Sequence, residues 1–119
     1  MRESTLQTLV RLKLGGQTDI VVWRNHVALA VPVKSKSGPQ WFGLGTGSAD
    51  LVGAHCMEIL PEHVGRQVGV MFAVELKGTR GRKEEEQKDW LAMVRRYGVR
   101  SGFAKTVDEA LAIAKGTRR

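Results

Sequence analysis

The chain has 119 residues, the size of one domain, which leaves no room for a catalytic domain joined to a separate binding domain. Hydrophobic residues make up 42% of the sequence and charged residues 26%, a balance that excludes wholesale disorder. Lys and Arg number 19 against 12 Asp and Glu, and the net charge of +7 favours a polyanionic partner, most often nucleic acid.

Cysteine content and hydropathy indicate the compartment. Cys56 is the only cysteine, which excludes an intramolecular disulfide and a four-thiolate zinc site. The N-terminal segment carries Arg2, Glu3, Arg11 and Lys13 and lacks the apolar core of a signal peptide. No stretch approaches the roughly 18 apolar residues of a membrane-spanning helix. We therefore expect a soluble protein of the reducing cytoplasm that does not associate with membranes.

The first half of the chain predicts one helix followed by short strands. Leu6, Val10 and Leu14 recur at helical spacing and predict a helix over Glu3–Leu14, with the Glu3 carboxylate on the same face. The β-rich and turn-rich patterns that follow predict strands over Asp19–Arg24 and Val27–Lys34 with a hairpin-like turn at Asn25-His26, a loop over Ser35–Gly47, and a strand over Asp50–Ala54.

The second half predicts strands that alternate with helices. After an irregular insert, the patterns predict a strand over Gln67–Lys77, a basic loop over Gly78–Lys83, a helix over Glu84–Tyr97 closed by Gly98, a strand over Val99–Lys105, and a helix over Val107–Lys115 that begins at a capping box of Thr106 and Glu109. This order of elements predicts one layered α/β domain over residues 1–119, with residues 115–119 as a frayed basic tail.

Four polar side chains lie where a reaction could take place: Asp50, Glu75, Lys77 and Gln87. Glu75 and Lys77 are two residues apart on a strand, so they project from one face and can hold a cation beside a water; the alternative is a strand-end ion pair. Asp50 follows a glycine-rich turn, from which a bent hairpin can bring it to the same cation; alternatively, it caps that turn. Gln87 faces the sheet, where it needs a partner at the site or in nearby backbone.

These positions together resemble the VRR-NUC family of the PD-(D/E)XK nuclease superfamily. The matching features are Glu3 in the first helix, Arg24-Asn25 at the first turn, G-S-A-D ending at Asp50, V-E-L-K-G with Glu75 and Lys77, and Gln87 before Trp90. The resemblance runs from Glu3 to about Ala114, nearly the whole chain. It has one departure, since Ala49 stands where the family usually has a proline.

The resemblance implies a fold, an activity and a set of site residues. The fold is a single-domain PD-(D/E)XK nuclease-like fold, a central mixed β-sheet flanked by helices. The activity is Mg²⁺- or Mn²⁺-dependent, structure-selective cleavage of DNA, of the Holliday-junction resolvase kind, by a homodimer. For a phage-encoded member, the location is the cytoplasm of the bacterial host.

The residue roles carry over position by position. The implied metal ligands are Asp50, Glu75, the Leu76 carbonyl and Glu3. Lys77 orients or deprotonates the attacking water, and Gln87 supports the site or the phosphate. The expected DNA contacts are Arg24, Asn25, Ser48, Arg80, Arg82 and Lys83, whose cations and donors suit phosphate oxygens. Alternatively, each cation of the basic loop is a solvated surface charge.

Other patterns indicate less. His55, Cys56 and His63 match no zinc-finger spacing, and the glycine run Gly43–Gly47 opens no helix, as a dinucleotide-binding loop would. Trp41 and Phe42 are candidates for stacking on a base, for a dimer contact or for local packing. The rival function, from a different class, is a non-catalytic basic module that binds nucleic acid. The presence of Asp50 and Glu75 together with Lys77 favours an enzyme, because two carboxylates contribute nothing to the binding of a polyanion.

Overall fold

A computed structural model describes residues 1–30, 38–78, 82 and 84–117. The chain is a mixed α/β protein, as the sequence predicts, and it divides into two compact units, Met1–Gly53 and Ala54–Arg119. The described strands pair in three two-stranded sheets, so the single central sheet stays a prediction. Within the described ranges, no helix is both long enough and apolar enough to cross a membrane.

The first unit is built on one helix and short strands. Its elements are helix α1 (Glu3–Gly15), strands β1 (Ile20–Arg24), β2 (Ala28–Ala30) and β3 (Gln40–Phe42), and the beginning of β4 (Leu51–His55). Helix α1 packs against β1, which pairs with β4, and β2 pairs with β3 in antiparallel register with Leu29 opposite Trp41. Gly53 is needed on β4, because a Cβ there would collide with the Val21 carbonyl oxygen on β1.

The strand pairing of this unit differs from the predicted hairpin. Strand β1 pairs with β4 rather than with β2, and the Asn25 N–H at the end of β1 donates to the Asp50 carbonyl at 2.8 Å. Strand β2 instead pairs with β3, which lies inside the segment predicted as a loop. The rest of the second predicted strand, residues 31–34, lies outside the described residues.

The second unit contains a parallel strand pair with two helices. After a 3₁₀ turn at Pro61–His63, its elements are strand β5 (Phe72–Leu76), helix α2 (Glu85–Arg95), strand β6 (Arg100–Ala104) and helix α3 (Val107–Lys115). Strands β5 and β6 are parallel with Glu75 opposite Phe103, and both helices pack against β6. The buried apolar residues of the described chain all lie in this unit: Leu91, Val94, Val99 and Ala104.

The ends of these elements follow local chemistry. Helix α2 ends in a Schellman arrangement, in which Gly98 has a φ of 84° and the Val99 N–H donates to the Val94 carbonyl at 3.3 Å. Helix α3 has the predicted bounds, and its N-cap Thr106 hydroxyl accepts from the Glu109 N–H at 3.1 Å. The Glu109 carboxylate accepts from the Lys105 N–H, one residue before the reciprocal position expected of a capping box.

Strand β5 is shorter than predicted because its partner strand, β6, begins late. The sequence predicts a strand from Gln67, but β5 begins at Phe72. The first bond between the two strands runs from the Arg100 N–H to the Met71 carbonyl at 3.1 Å. Because β6 begins at Arg100, directly after the turn that closes α2, it does not extend alongside residues 67–70.

Candidate functional site

Glu75 and Lys77 lie at the carboxyl end of β5 and project together, as the period of a strand predicts. The Lys77 N–H donates to the Ala104 carbonyl at 2.9 Å, so pairing with β6 fixes the backbone one residue beyond β5. Lys77 Nζ lies 3.7 Å from Glu75 Oε1. The Lys77 side chain is 14% exposed and that of Glu75 is 37% exposed, so the carboxylate is the more accessible partner.

Gln87 holds the same carboxylate from the first turn of α2. Its Nε2 donates to Glu75 Oε1 at 2.6 Å, and its Oε1 accepts from the Glu84 N–H at 3.4 Å. Using the two ends of one amide in this way fixes its orientation, because the nitrogen must face the carboxylate and the oxygen the N–H. The prediction that Gln87 points inward and meets a partner is confirmed.

The two contacts leave one carboxylate oxygen available. Both Gln87 and Lys77 approach Glu75 Oε1, and the described residues supply no hydrogen-bond partner to Oε2. An oxygen of this kind can bind a hard cation or a water. Glu75 and Gln87 also line a cavity of about 380 Å³ together with Glu86 and Trp90. Sequence reasoning did not assign Glu86 or Trp90 to a site, although Gln87 and Trp90 share a helical stripe.

Lys77 also lines a second cavity, of about 450 Å³, at the carboxyl ends of β5 and β6. Leu76, Lys105 and the first residues of α3 form its other walls. Two lysines, Lys77 and Lys105, therefore line one cavity at the strand ends. Lys77 thus stands between this cavity and the carboxylate.

In the first unit, Asn25 shapes the glycine-rich segment before Asp50. Its Nδ2 donates to Ser48 Oγ and to the Ala49 carbonyl, each at 2.8 Å, and its Oδ1 accepts from the Leu44 N–H at 3.1 Å. The Ser48 hydroxyl in turn donates to the Gly45 carbonyl at 2.6 Å. These bonds favour a positioning role for Asn25 and Ser48, since their polar atoms are engaged within the loop. Direct contact of either residue with DNA stays a prediction.

Glycine at position 43 is required by this closed loop. Gly43 has a φ of 85°, and a Cβ there would lie 2.6 Å from the His26 carbonyl oxygen and 3.1 Å from Asn25 Oδ1. The backbone of the loop can therefore approach the end of β1 only where a side chain is missing. The close approach brings the Asn25 amide within reach of the loop.

The closed loop and the end of β1 border a cavity of about 370 Å³. Four residues predicted for the site meet at it: Arg24, Asn25, Ser48 and Asp50. The described residues supply no hydrogen-bond or ion-pair partner to the Asp50 carboxylate, which is exposed. Sequence reasoning did not assign three further lining residues, Gln7, His26 and Thr46, to a site. Gln7 was detectable in principle, because it lies one helical turn after Glu3 on α1.

The remaining predicted residues are distributed as follows. Glu3 lies in the first turn of α1 and is exposed, and Arg82 is described and exposed, whereas Arg80 and Lys83 lie outside the described residues. Asp50 belongs to the first unit and Glu75 to the second. In the part of the chain that the structure describes, no group of three or more His, Cys, Asp or Glu side chains is arranged to hold a metal ion.

Two residues considered for zinc have local partners. His63 Nδ1 accepts from the Leu60 N–H at 2.9 Å, and Cys56 Sγ lies 3.8 Å from the Arg96 carbonyl oxygen. Both contacts tie the irregular segment after β4 to neighbouring backbone. The His63 and Cys56 side chains therefore help to hold this segment in place.

The chain was compared with models of known protein families, with curated proteins and with solved structures, and none of the three comparisons gave a match. Membership of the VRR-NUC family therefore stays a prediction from the residue pattern.

Proposed function

We propose that this chain is a Mg²⁺- or Mn²⁺-dependent endonuclease of the PD-(D/E)XK kind that cuts branched DNA as a homodimer in the cytoplasm. The observation that carries the proposal is the arrangement of Gln87, Glu75 and Lys77. An amide at 2.6 Å and an ammonium at 3.7 Å share one carboxylate oxygen, and no described residue bonds to the other oxygen, which lies at a partly exposed edge. A strand-end ion pair alone gives no reason for the third, inward-facing polar side chain.

The donor set suits a hard divalent cation. Mg²⁺ takes oxygen ligands and keeps several waters, and Asp50 and Glu75 each have accessible carboxylate oxygen. In the proposal these two side chains, the Leu76 carbonyl and Glu3 hold the cation, which requires Asp50 and Glu75 to reach one ion. A cation held by these residues would supply charge neutralisation at the scissile phosphate and at the leaving alkoxide.

The protein residues supply what the cation does not. Lys77 orients the attacking water at the carboxylate edge and takes part in moving its proton. Gln87 holds Glu75 Oε1, so the free oxygen keeps its direction. The cations Arg24, Arg80, Arg82 and Lys83 are proposed to hold the DNA backbone, in keeping with the net charge of +7.

A homodimer accounts for action on a branched substrate. Resolving a four-way junction requires two cuts on strands related by near two-fold symmetry, and a C₂ dimer supplies two sites in that relation. Such an interface must bury about 1,000 Å² or more.

The test is cleavage of labelled four-way junction, flap, duplex and single-stranded DNA with and without Mg²⁺ or Mn²⁺. We expect Asp50→Asn and Glu75→Gln to lower the cleavage rate by about 10²-fold or more while DNA affinity is kept or increased, because negative charge near phosphate is removed. Glu58→Gln removes an exposed carboxylate elsewhere and serves as the matched control. Titration with Mn²⁺, followed by electron paramagnetic resonance, should show binding to the wild type that both site variants lose.

Two results would overturn the proposal in different ways. Normal cleavage by both site variants would show that the carboxylates are not catalytic. Binding of every DNA by the wild type, with no cleavage in either metal, would identify the rival function, a non-catalytic nucleic-acid-binding module.

A further inference from the structure

We propose that the 370 Å³ cavity beside Asp50 is a binding site for one unpaired nucleotide, whose base lies against Trp41. The inference rests on the proposed action on DNA and adds a feature of the substrate: an unpaired nucleotide next to the cut. Neither the carboxylates nor the net charge requires such a site.

The cavity has the size and the wall that a base requires. Its volume lies within the range of about 300–1,000 Å³ that is usual for small-ligand sites. Trp41 lines it and is 61% exposed, so a large aromatic surface is open to a ligand. Bases stack well on aromatic side chains. In duplex DNA both faces of an internal base are already stacked, so only an unpaired or extruded base can use this wall.

The polar lining suits the rest of a nucleotide. Gln7, His26 and Thr46 line the cavity, and their side chains have the kinds of donors and acceptors that the edge of a base requires. Arg24, on the same cavity, carries the cation that a phosphate needs. Gly47 lines it with a φ of 84°, and a Cβ built there meets no atom within 4 Å, so the loop backbone is open to a ligand.

The wall of the site is held in place without the ligand. Asn25 makes its three side-chain bonds to the loop at 2.8 to 3.1 Å, and Gly43 allows the close approach that these bonds need. Because the residues around this cavity are already ordered, they lose little conformational entropy when a ligand binds. The site is therefore pre-organised beside Asp50 for a nucleotide that base pairing does not hold.

The test measures binding alone, in EDTA, so that it does not depend on cleavage. Fluorescence anisotropy gives the affinities of the wild type, Trp41→Ala and Trp41→Phe for single-stranded DNA, for duplex with a one-nucleotide bulge, and for intact duplex. We expect Trp41→Ala to weaken binding of the first two by about 5- to 150-fold, the range for loss of one stacked base, with intact duplex unchanged. Trp41→Phe should restore most of the affinity because it keeps an aromatic face.

Phe42→Ala is the matched control. Phe42 is the next residue on β3, is 45% exposed and points to the opposite face of the strand. An equal loss in Trp41→Ala and Phe42→Ala, or an equal loss on intact duplex, would overturn the nucleotide site. Equal affinity of the wild type for bulged and intact duplex would also overturn the nucleotide site. In that case, cleavage of DNA in Mg²⁺ would still support the proposed nuclease activity. A wild type that binds no DNA of any kind would overturn the proposed function itself, and the site with it.

Discussion

At the scale of single residues, the position of Glu75 depends on an amide rather than on a charge. Gln87 Nε2 lies 2.6 Å from Glu75 Oε1, whereas Lys77 Nζ lies 3.7 Å from the same oxygen. The shorter contact has the geometry of a strong hydrogen bond to an ionised acceptor, and the longer one is an ion pair at a partly exposed edge. Gln87 is therefore a positioning residue, which acts on the reaction through Glu75.

We expect Gln87→Ala to lower the cleavage rate at saturating DNA by about 10-fold or more, with DNA affinity unchanged, because Glu75 loses its nearest donor. Gln87→Glu keeps the size of the side chain but places a second carboxylate against Glu75, so it should lower the rate further. Single-turnover kinetics and metal-free binding separate the two quantities. Lys88→Ala, the adjacent exposed position on α2, is the control. An unchanged rate in Gln87→Ala would contradict the positioning role.

At the scale of elements, the two glycine-terminated helices offer a comparison. Gly98 and Gly116 both have positive φ, 84° and 68°, after the last turns of α2 and α3. A Cβ at Gly98 would meet nothing within 4 Å, whereas a Cβ at Gly116 would lie 2.7 Å from Arg100 Nε. Arg100 also donates through Nη1 to the Ala114 carbonyl at 3.1 Å, so its guanidinium caps the end of α3.

We expect Gly98→Ala to lower the free energy of unfolding by about 1–2 kcal/mol, the cost of a left-handed backbone for alanine. Gly116→Ala should cost about 1 kcal/mol more, because Arg100 must move and give up its bond to Ala114. Urea denaturation measures both. In an Arg100→Ala background the two glycine substitutions should cost the same; a difference that persists there would show that the Arg100 contact is not its cause.

Local signals predicted the helices better than the strands. Thr106 and Gly116 bracket α3, and its observed bounds are the predicted ones. Strand bounds depend on the partner: β5 loses its predicted first half because β6 begins only at Arg100. Strand β3 escaped prediction because its short aromatic stretch lies among Ser, Gly and Pro, and its pairing with β2 is not encoded locally.

The candidate site was also predictable only where local periodicity determines it. Glu75 and Lys77 share a face by strand periodicity, and Gln87 faces the sheet by helix periodicity, so local rules found this group. The cavity lined by Gln7 and Trp41 was not found, because it depends on the loop that Asn25 closes across more than 20 positions. Side chains brought together by such a closure leave no periodic signal.

At the scale of the whole molecule, burial is unevenly distributed. Every buried apolar residue of the described chain lies in the second unit, at Leu91, Val94, Val99 and Ala104. The described part of the first unit has none. Local stability follows buried apolar contacts, so the two units should differ in how readily they open.

We expect native-state hydrogen exchange to be slowest in β5, β6 and the second half of α2, and faster throughout β1, β2 and β3. The Lys77 N–H, bonded to Ala104, and the Asn25 N–H, bonded to Asp50, make a suitable pair, since their bonds are 2.9 and 2.8 Å long. Because the two bonds differ in length by so little, unequal exchange rates would show that burial, and not bond length, sets the difference. Equal protection of the two amides at low denaturant would contradict the expected difference in stability between the two units.

The Glu84 N–H, which donates to Gln87, has a consequence for how substrate is used. Glu84 directly follows the basic segment Gly78–Lys83, and one glutamine separates its peptide from the Glu75 carboxylate. In an enzyme of the proposed kind, we expect DNA bound by the charges of that segment to help place this peptide, and with it the glutamine. Binding energy from nucleotides away from the cut would then serve to align Glu75, which raises the turnover rate rather than the affinity. A short oligonucleotide that cannot reach the basic segment should then be cut slowly even when it saturates the protein.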